Sequence, residues 1–112
     1  MIYEIRDYHY LPEKFAAYKA WADDAVPVLK ELLDVTGFYV DAGVEPEATG
    51  TNPERPSIGY ANITWIIRWP SKAERDEKFG EIMQSPKWTA VWDKHPDADG
   101  YVQMLSRFVE EV

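Results

Sequence analysis

Arg6, Tyr8 and His9 stand close together near the start of the chain, in the run Glu4-Ile5-Arg6-Asp7-Tyr8-His9. An arginine can hold a developing oxyanion and a phenol can donate a proton. An imidazole titrates near neutral pH and can accept one. His9 or Tyr8 is therefore the candidate base or donor, and Arg6 or Arg68 the candidate oxyanion holder. An isolated histidine carries no motif, so a satisfied loop histidine is the plainer account of His9. His95, the other of two histidines, precedes Pro96 and closes a helix, where a cation is favoured by the helix dipole and a C-terminal capping role is the plainer account. Haem ligation by His95 stays open but no spacing marks it, and no other cofactor is implied. Cysteine is absent, which excludes disulfides, thiolate catalysis and cysteine-based zinc or iron–sulfur sites. His95-Pro96-Asp97-Ala98-Asp99-Gly100 alternates oxygen ligands as a calcium loop does, but Ser106 stands where the closing carboxylate is needed. No Gly-rich phosphate loop, paired-histidine zinc motif or nucleophile elbow is present.

Aromatic residues are abundant: five Trp, seven Tyr and four Phe make 14% of the chain. Such side chains fill cores and also line flat-walled cavities. The cavity expected between sheet and helices would be lined by Tyr3, Ile5, Tyr18, Trp21, Ile63, Trp65, Phe79 and Met83, with a filled core as the competing account. Its natural guest is a small hydrophobic or aromatic molecule. A formal charge of −8 repels phosphate backbones and anionic lipid, so neither nucleic acid nor a membrane is an expected partner. No apolar run approaches the ~18–20 residues of a membrane span. The first residues read as a strand rather than a signal peptide, and a cytoplasmic location is the expectation.

These side chains must be positioned by regular elements. Residues 1–9 alternate and are rich in Ile and Tyr, which predicts a strand. Residues 13–33 carry an apolar stripe at helical spacing (Phe15, Tyr18, Ala22, Ala25, Leu29), interrupted by Pro27, which should kink the helix near Asp23 and Asp24. Residues 35–43 read as a second strand and 60–69 as a third. Between them, 44–59 hold three prolines and two glycines, which suits a loop that is either an ordered flap or a disordered excursion. Ser71-Lys72-Ala73-Glu74 is a capping box opening a helix, and Ser85-Pro86 restarts it. Residues 101–110 are a fourth strand.

The order strand, helix, strand, strand, helix, strand predicts one α+β domain over 1–112. It would be a ferredoxin-like βαββαβ fold with a four-stranded antiparallel sheet in the order 4-1-3-2. Both helices then cover one face. The bare face, with Ile66 and Leu105, should stack on a second copy to make a homodimer, a dimeric α/β barrel. Ala61, Ile63, Trp65 and Ile67 should meet the helices, with Tyr3 and Ile5 beside them. Glu4, Arg6 and Tyr8 would then face the partner sheet, because the charge-free face suits the helix layer; the reverse would place them in a polar pocket under the helices.

Tyr3-Glu4-Ile5-Arg6-Asp7-Tyr8, Pro12, Trp21, Pro27-Val28-Leu29 and Gly37-Phe38-Tyr39 resemble the opening of NIPSNAP-family domains. Ser71, Glu74-Arg75 and Pro86-Lys87-Trp88 resemble that family's second half. The resemblance covers nearly the whole chain outside 44–59. It implies the dimeric α/β-barrel superfamily, which includes cofactor-independent monooxygenases, haem-degrading enzymes, isomerases and dehydratases. NIPSNAP proteins themselves lack a settled common activity. The 44–59 loop replaces a shorter hairpin, and Asp24 stands where many relatives have a histidine.

The expected function is that of a metal-free enzyme of oxygenase, cyclase or isomerase type acting on a small aromatic or hydrophobic molecule, with 44–59 closing over it. The alternatives are a non-catalytic small-molecule or haem binder, and a structural dimer whose aromatics only pack.

Overall fold

The computed structural model describes residues 1–112. Strands β1 (Ile2–Tyr10), β2 (Val35–Val40), β3 (Ile63–Trp69) and β4 (Tyr101–Val109) form one antiparallel sheet in the order β2-β3-β1-β4. That is the order two interleaved crossovers require. Three helices, α1 (Phe15–Leu32), α2 (Lys72–Ile82) and α3 (Pro86–Trp92), complete a ferredoxin-like α+β fold.

Local sequence accounts for the helix boundaries. Pro12 opens a short turn before α1. α1 then buries Tyr18, Trp21, Ala22, Ala25 and Leu29, a stripe at steps of three and four. The helix runs through Pro27, which lacks the N–H that would bond the carbonyl one turn back. At α2 the Ser71 hydroxyl accepts from the Glu74 N–H at 3.2 Å, the expected cap. Ser85 sits in extended conformation ahead of Pro86, so α3 starts where expected. Its hydroxyl caps nothing and is buried without a partner. The Trp21 indole N–H donates to the Val91 carbonyl at 2.8 Å and ties α1 to α3.

β2 and β3 are shorter than the sequence pattern suggests, and Asn62, just ahead of β3, bonds the end of β1 through its side chain. Its side-chain oxygen accepts from the Tyr10 N–H at 2.9 Å, and its amide donates to the Tyr10 carbonyl at 2.8 Å. The side-chain amide thus carries the β3-side pairing of β1 past Tyr8 to Tyr10.

The sheet faces correct one expectation. Directly paired residues in an antiparallel ladder share a face. Glu4 pairs with Ile67, Arg6 with Trp65 and Tyr8 with Ile63. Glu4, Arg6 and Tyr8 therefore lie under the helices, and Tyr3 and Ile5 lie on the outer face. β3 faces as expected; β1 is reversed. Avoiding charges beneath a helix layer misled because α2 brings a cation, Arg75, to meet Glu4 there.

Candidate functional site

The space between the helices and the sheet is incompletely filled. A cavity of about 320 Å³ remains, within the range of small-ligand sites. Arg6, Tyr8 and Trp65 line it from the central strands, with Phe38 and Met104 from the edge strands. α1 contributes Tyr18, Trp21, Ala25 and Leu29; Phe79 and Met83 come from α2 and its end; Trp88 and Trp92 come from α3. Tyr101, the first residue of β4, completes the wall. Arg6 is the one charged residue in this lining.

Arg6 is held by a buried network. Its Nε donates to the Tyr8 hydroxyl at 2.6 Å and its Nη1 to Glu4 Oε2 at 2.8 Å. The guanidinium lies 4.8 Å from the Phe79 ring centre, 5.5 Å from Tyr8 and 5.7 Å from Trp65, distances suited to cation–π attraction. Nη2 donates to no protein acceptor. Behind it, Glu4 has no exposed surface. Arg75 grips both Glu4 oxygens, Nε to Oε1 at 3.2 Å and Nη2 to Oε2 at 2.8 Å, and the Trp69 indole donates to Oε1 at 3.1 Å. Burial pushes the Glu4 carboxyl up, but hydrogen bonds from Arg75, the Arg6 charge, Ser106 and Trp69 outweigh it and hold the group below its usual range. Glu4 is thus a carboxylate at neutral pH.

A second polar group stands at Tyr101. The Asp97 N–H donates to His95 Nδ1 at 3.1 Å, so the neutral ring carries its proton on Nε2. That N–H then donates to the Tyr101 hydroxyl at 2.8 Å. The imidazole lies 4.4 Å from the ring centres of both Trp21 and Trp92. Burial lowers the His95 pKa against a smaller opposing pull from Asp97. The favoured state is neutral, not the helix-end cation expected from sequence. Haem ligation at His95 would have to break one of these two bonds. Tyr101 accepts from His95 and also has the Tyr18 hydroxyl as a hydrogen-bonding neighbour. Burial also pushes the phenols of Tyr8, Tyr18 and Tyr101 up, so all three are neutral donors.

Of the residues singled out from sequence, Arg6, Tyr8, Tyr18, Trp21, Trp65, Phe79 and Met83 come together around the cavity. Ile63 is buried on the same sheet face without lining it. Tyr3 and Ile5 lie on the outer face and do not line it. His9 is displaced from its expected position at the cavity mouth by strand alternation, which sends it to the face opposite Tyr8. There its Nε2–H donates to the Gly59 carbonyl at 3.0 Å. Arg68 is on that outer face too, paired with Asp34 at 2.7 Å. No residue of 44–59 lines the cavity, so the expected lid is not in place over it. The loop is instead held by His9, by the Arg55–Glu45 ion pair and by Arg55 over the Tyr60 ring.

The sequence reading missed Phe38, Trp88, Trp92, Tyr101 and the Glu4–Arg75 pair as parts of the site. A signal for Glu4 was present, since Glu4, Arg6 and Tyr8 share one strand face. Nothing local announces that Arg75, on another element, closes on it.

No family model matches the sequence, and no curated protein matches it. Solved structures do. Atu4242 from Agrobacterium tumefaciens, a NIPSNAP family protein with unknown function, is 20% identical, with 100% of this chain and 94% of that one covered and a TM-score of 0.68. An uncharacterized NIPSNAP domain protein from Burkholderia xenovorans is 13% identical, covering 100% and 95%, with a TM-score of 0.69. A Bordetella bronchiseptica protein described as a candidate antibiotic biosynthesis monooxygenase is 14% identical, covering 99% and 96%, with a TM-score of 0.58. The chain therefore has the fold of NIPSNAP proteins, the family its sequence resembles.

Proposed function

We propose that the cavity is a small-molecule site for a flat hydrophobic or aromatic guest. The protein turns such a guest over by oxygenase, cyclase or isomerase chemistry in which Arg6 holds an oxyanion as it develops. One observation carries this reading: a single arginine, with an unused N–H pair, stands in a cavity otherwise walled by rings and apolar side chains. The wall is apolar, so each charge-assisted hydrogen bond there counts for more than it would in bulk solvent. Tyr8 and Tyr101 supply phenolic protons. The shared fold of the Bordetella protein is a reason to test oxygenation first.

Trp21, Trp65, Trp88 and Trp92 all line the cavity, so intrinsic fluorescence reports its occupancy. Flat aromatic compounds should quench it saturably, and mass spectrometry should then find a converted product. A broad panel that leaves the emission unchanged would remove the site. A non-catalytic binder is the second reading. It is favoured by the lack of a free base in the cavity, because Glu4 is fully engaged and neither histidine lines it. A guest recovered unchanged after long incubation would select this reading.

The outer sheet face supports a homodimer. Leu105 and Tyr39 are 47% and 56% exposed, with Ile5 and Ile66 partly buried between them. Stacking two such faces would cover them. No helix is long and apolar enough to cross a membrane. We place the protein in the cytoplasm because a cysteine-free chain draws nothing from an oxidising compartment.

A further inference from the structure

We infer that the guest is a monoanion: a flat hydrophobic body with one anionic oxygen group, a carboxylate, phenolate or enolate, that seats on Arg6. This rests on the reading of the cavity as a small-molecule site and narrows its substrate class. The charge count around the cavity is the first support. Glu4 needs no second cation, because Arg75 already meets both of its oxygens. Arg75 also touches Asp76 at 3.1 Å, and Asp76 is held in turn by Lys72 at 2.7 Å. This connected group holds three cations, Arg6, Arg75 and Lys72, against two anions, Glu4 and Asp76. Lys72 and Asp76 lie out at the surface, about half exposed, whereas the Arg6 side chain is 12% exposed. Of these charges only Arg6 lines the cavity.

Arg6 shares its one counter-charge, Glu4, with Arg75, so a ligand anion would add a charge-assisted hydrogen bond to those it already makes. Geometry points the same way. Nε and Nη1 of Arg6 are committed to Tyr8 and Glu4, which locks the guanidinium plane and leaves Nη2 without an acceptor. Tyr101, whose hydroxyl accepts from His95, lines the same cavity. The remaining wall offers no counter-ion for a second negative charge. The chain's net charge of −8 works against polyanions at long range. Phosphorylated and dicarboxylate molecules are thereby disfavoured, and neutral hydrocarbons leave Nη2 of Arg6 without an acceptor.

The test compares three probes of one ring system by isothermal titration of the full chain at pH 7: 2-naphthoate, its methyl ester, and 2,6-naphthalenedicarboxylate. The monoanion is expected to bind at least about tenfold tighter than the ester, as a charge-assisted hydrogen bond to arginine implies. The dicarboxylate should be weaker than the monoanion by a similar factor. Arg6→Gln should erase the preference for naphthoate over ester. The wild-type comparison stands on its own if that variant fails to fold. Ester binding as tight as naphthoate, or dicarboxylate binding as tight, would overturn the monoanion inference and leave the small-molecule site intact. Binding of none of the three would overturn the site and the inference together.

Discussion

Replacing Arg75 by methionine should cost about 3 kcal/mol of folding stability. Glu4 is wholly buried and accepts two hydrogen bonds from Arg75 and one each from Arg6 and Trp69, with Ser106 beside it. Methionine preserves much of the stem packing but removes the two from Arg75. Breaking a buried pair from one side costs ~3–5 kcal/mol, because the other charge is left behind. Arg6 still faces Glu4, so the low end applies. Against a total stability of ~5–15 kcal/mol, this is a large fraction. The melting temperature should fall by roughly 10–15 °C for a chain of this size. The pH dependence has a definite sign. The Glu4 pKa lies below its ordinary 4.5 in the folded protein, so its contribution is present above that value and is lost as pH falls through the folded pKa. In Arg75→Met the burial penalty is less opposed, the carboxyl titrates higher, and that contribution shrinks. Urea unfolding from pH 7 down to about pH 3 should therefore show the gap between wild type and variant narrowing in acid. Adding Glu4→Gln to Arg75→Met removes the stranded carboxylate but takes from Arg6 its counter-charge, so the double variant should stay less stable than wild type. An Arg75→Met protein within about 0.5 kcal/mol of wild type, or a gap that does not narrow in acid, would refute the buried-pair account.

Three further outcomes follow from other parts of the fold. Gly100→Ala would place a Cβ 2.6 Å from the buried Tyr10 ring, and thermal unfolding should show a loss of about 1–3 kcal/mol; an unchanged melting temperature would mean the ring has room to move. His9→Ala should leave occupancy of the cavity by aromatic probes unchanged but speed proteolysis within 44–59, because it frees the Gly59 carbonyl. A large drop in probe affinity would return His9 to the site. Leu105→Arg on the outer sheet face should give a monomer in analytical ultracentrifugation if two copies stack there, and a wild-type chain that is already monomeric would dispose of that dimer.

The element order, the capping box at Ser71, the helix restart at Ser85-Pro86 and the strand order were legible in the sequence. Each rests on local rules that neighbours in the chain enforce: hydrophobic period, proline geometry and crossover handedness. Much of the cavity wall was legible for the same reason, since Tyr18 and Trp21 share a helix stripe and Trp65 lies on an uncharged strand face. The position of His9 was legible in part. Once Tyr8 faces the helices, His9 must face away, but deciding which alternate set goes inward needed information from another element.

That division has a physical cause. By itself the sequence determined the periodicities, the breaks between elements, the absence of thiol chemistry and the surplus of negative charge, all properties of residues and their near neighbours. Only the tertiary structure decided that Glu4 and Arg6 are buried, because the cost of burying a charge depends on what stands opposite it. Arg75 arrives from α2 to meet Glu4, and the rings of Tyr8, Trp65 and Phe79 surround the Arg6 guanidinium. His95 shows the same dependence. Its neighbours in sequence suggest a helix-end cation, whereas packing between Trp21 and Trp92 removes water and favours the neutral ring that aligns Tyr101. Burial, and with it the charge state of every group at the cavity, is set by long-range packing.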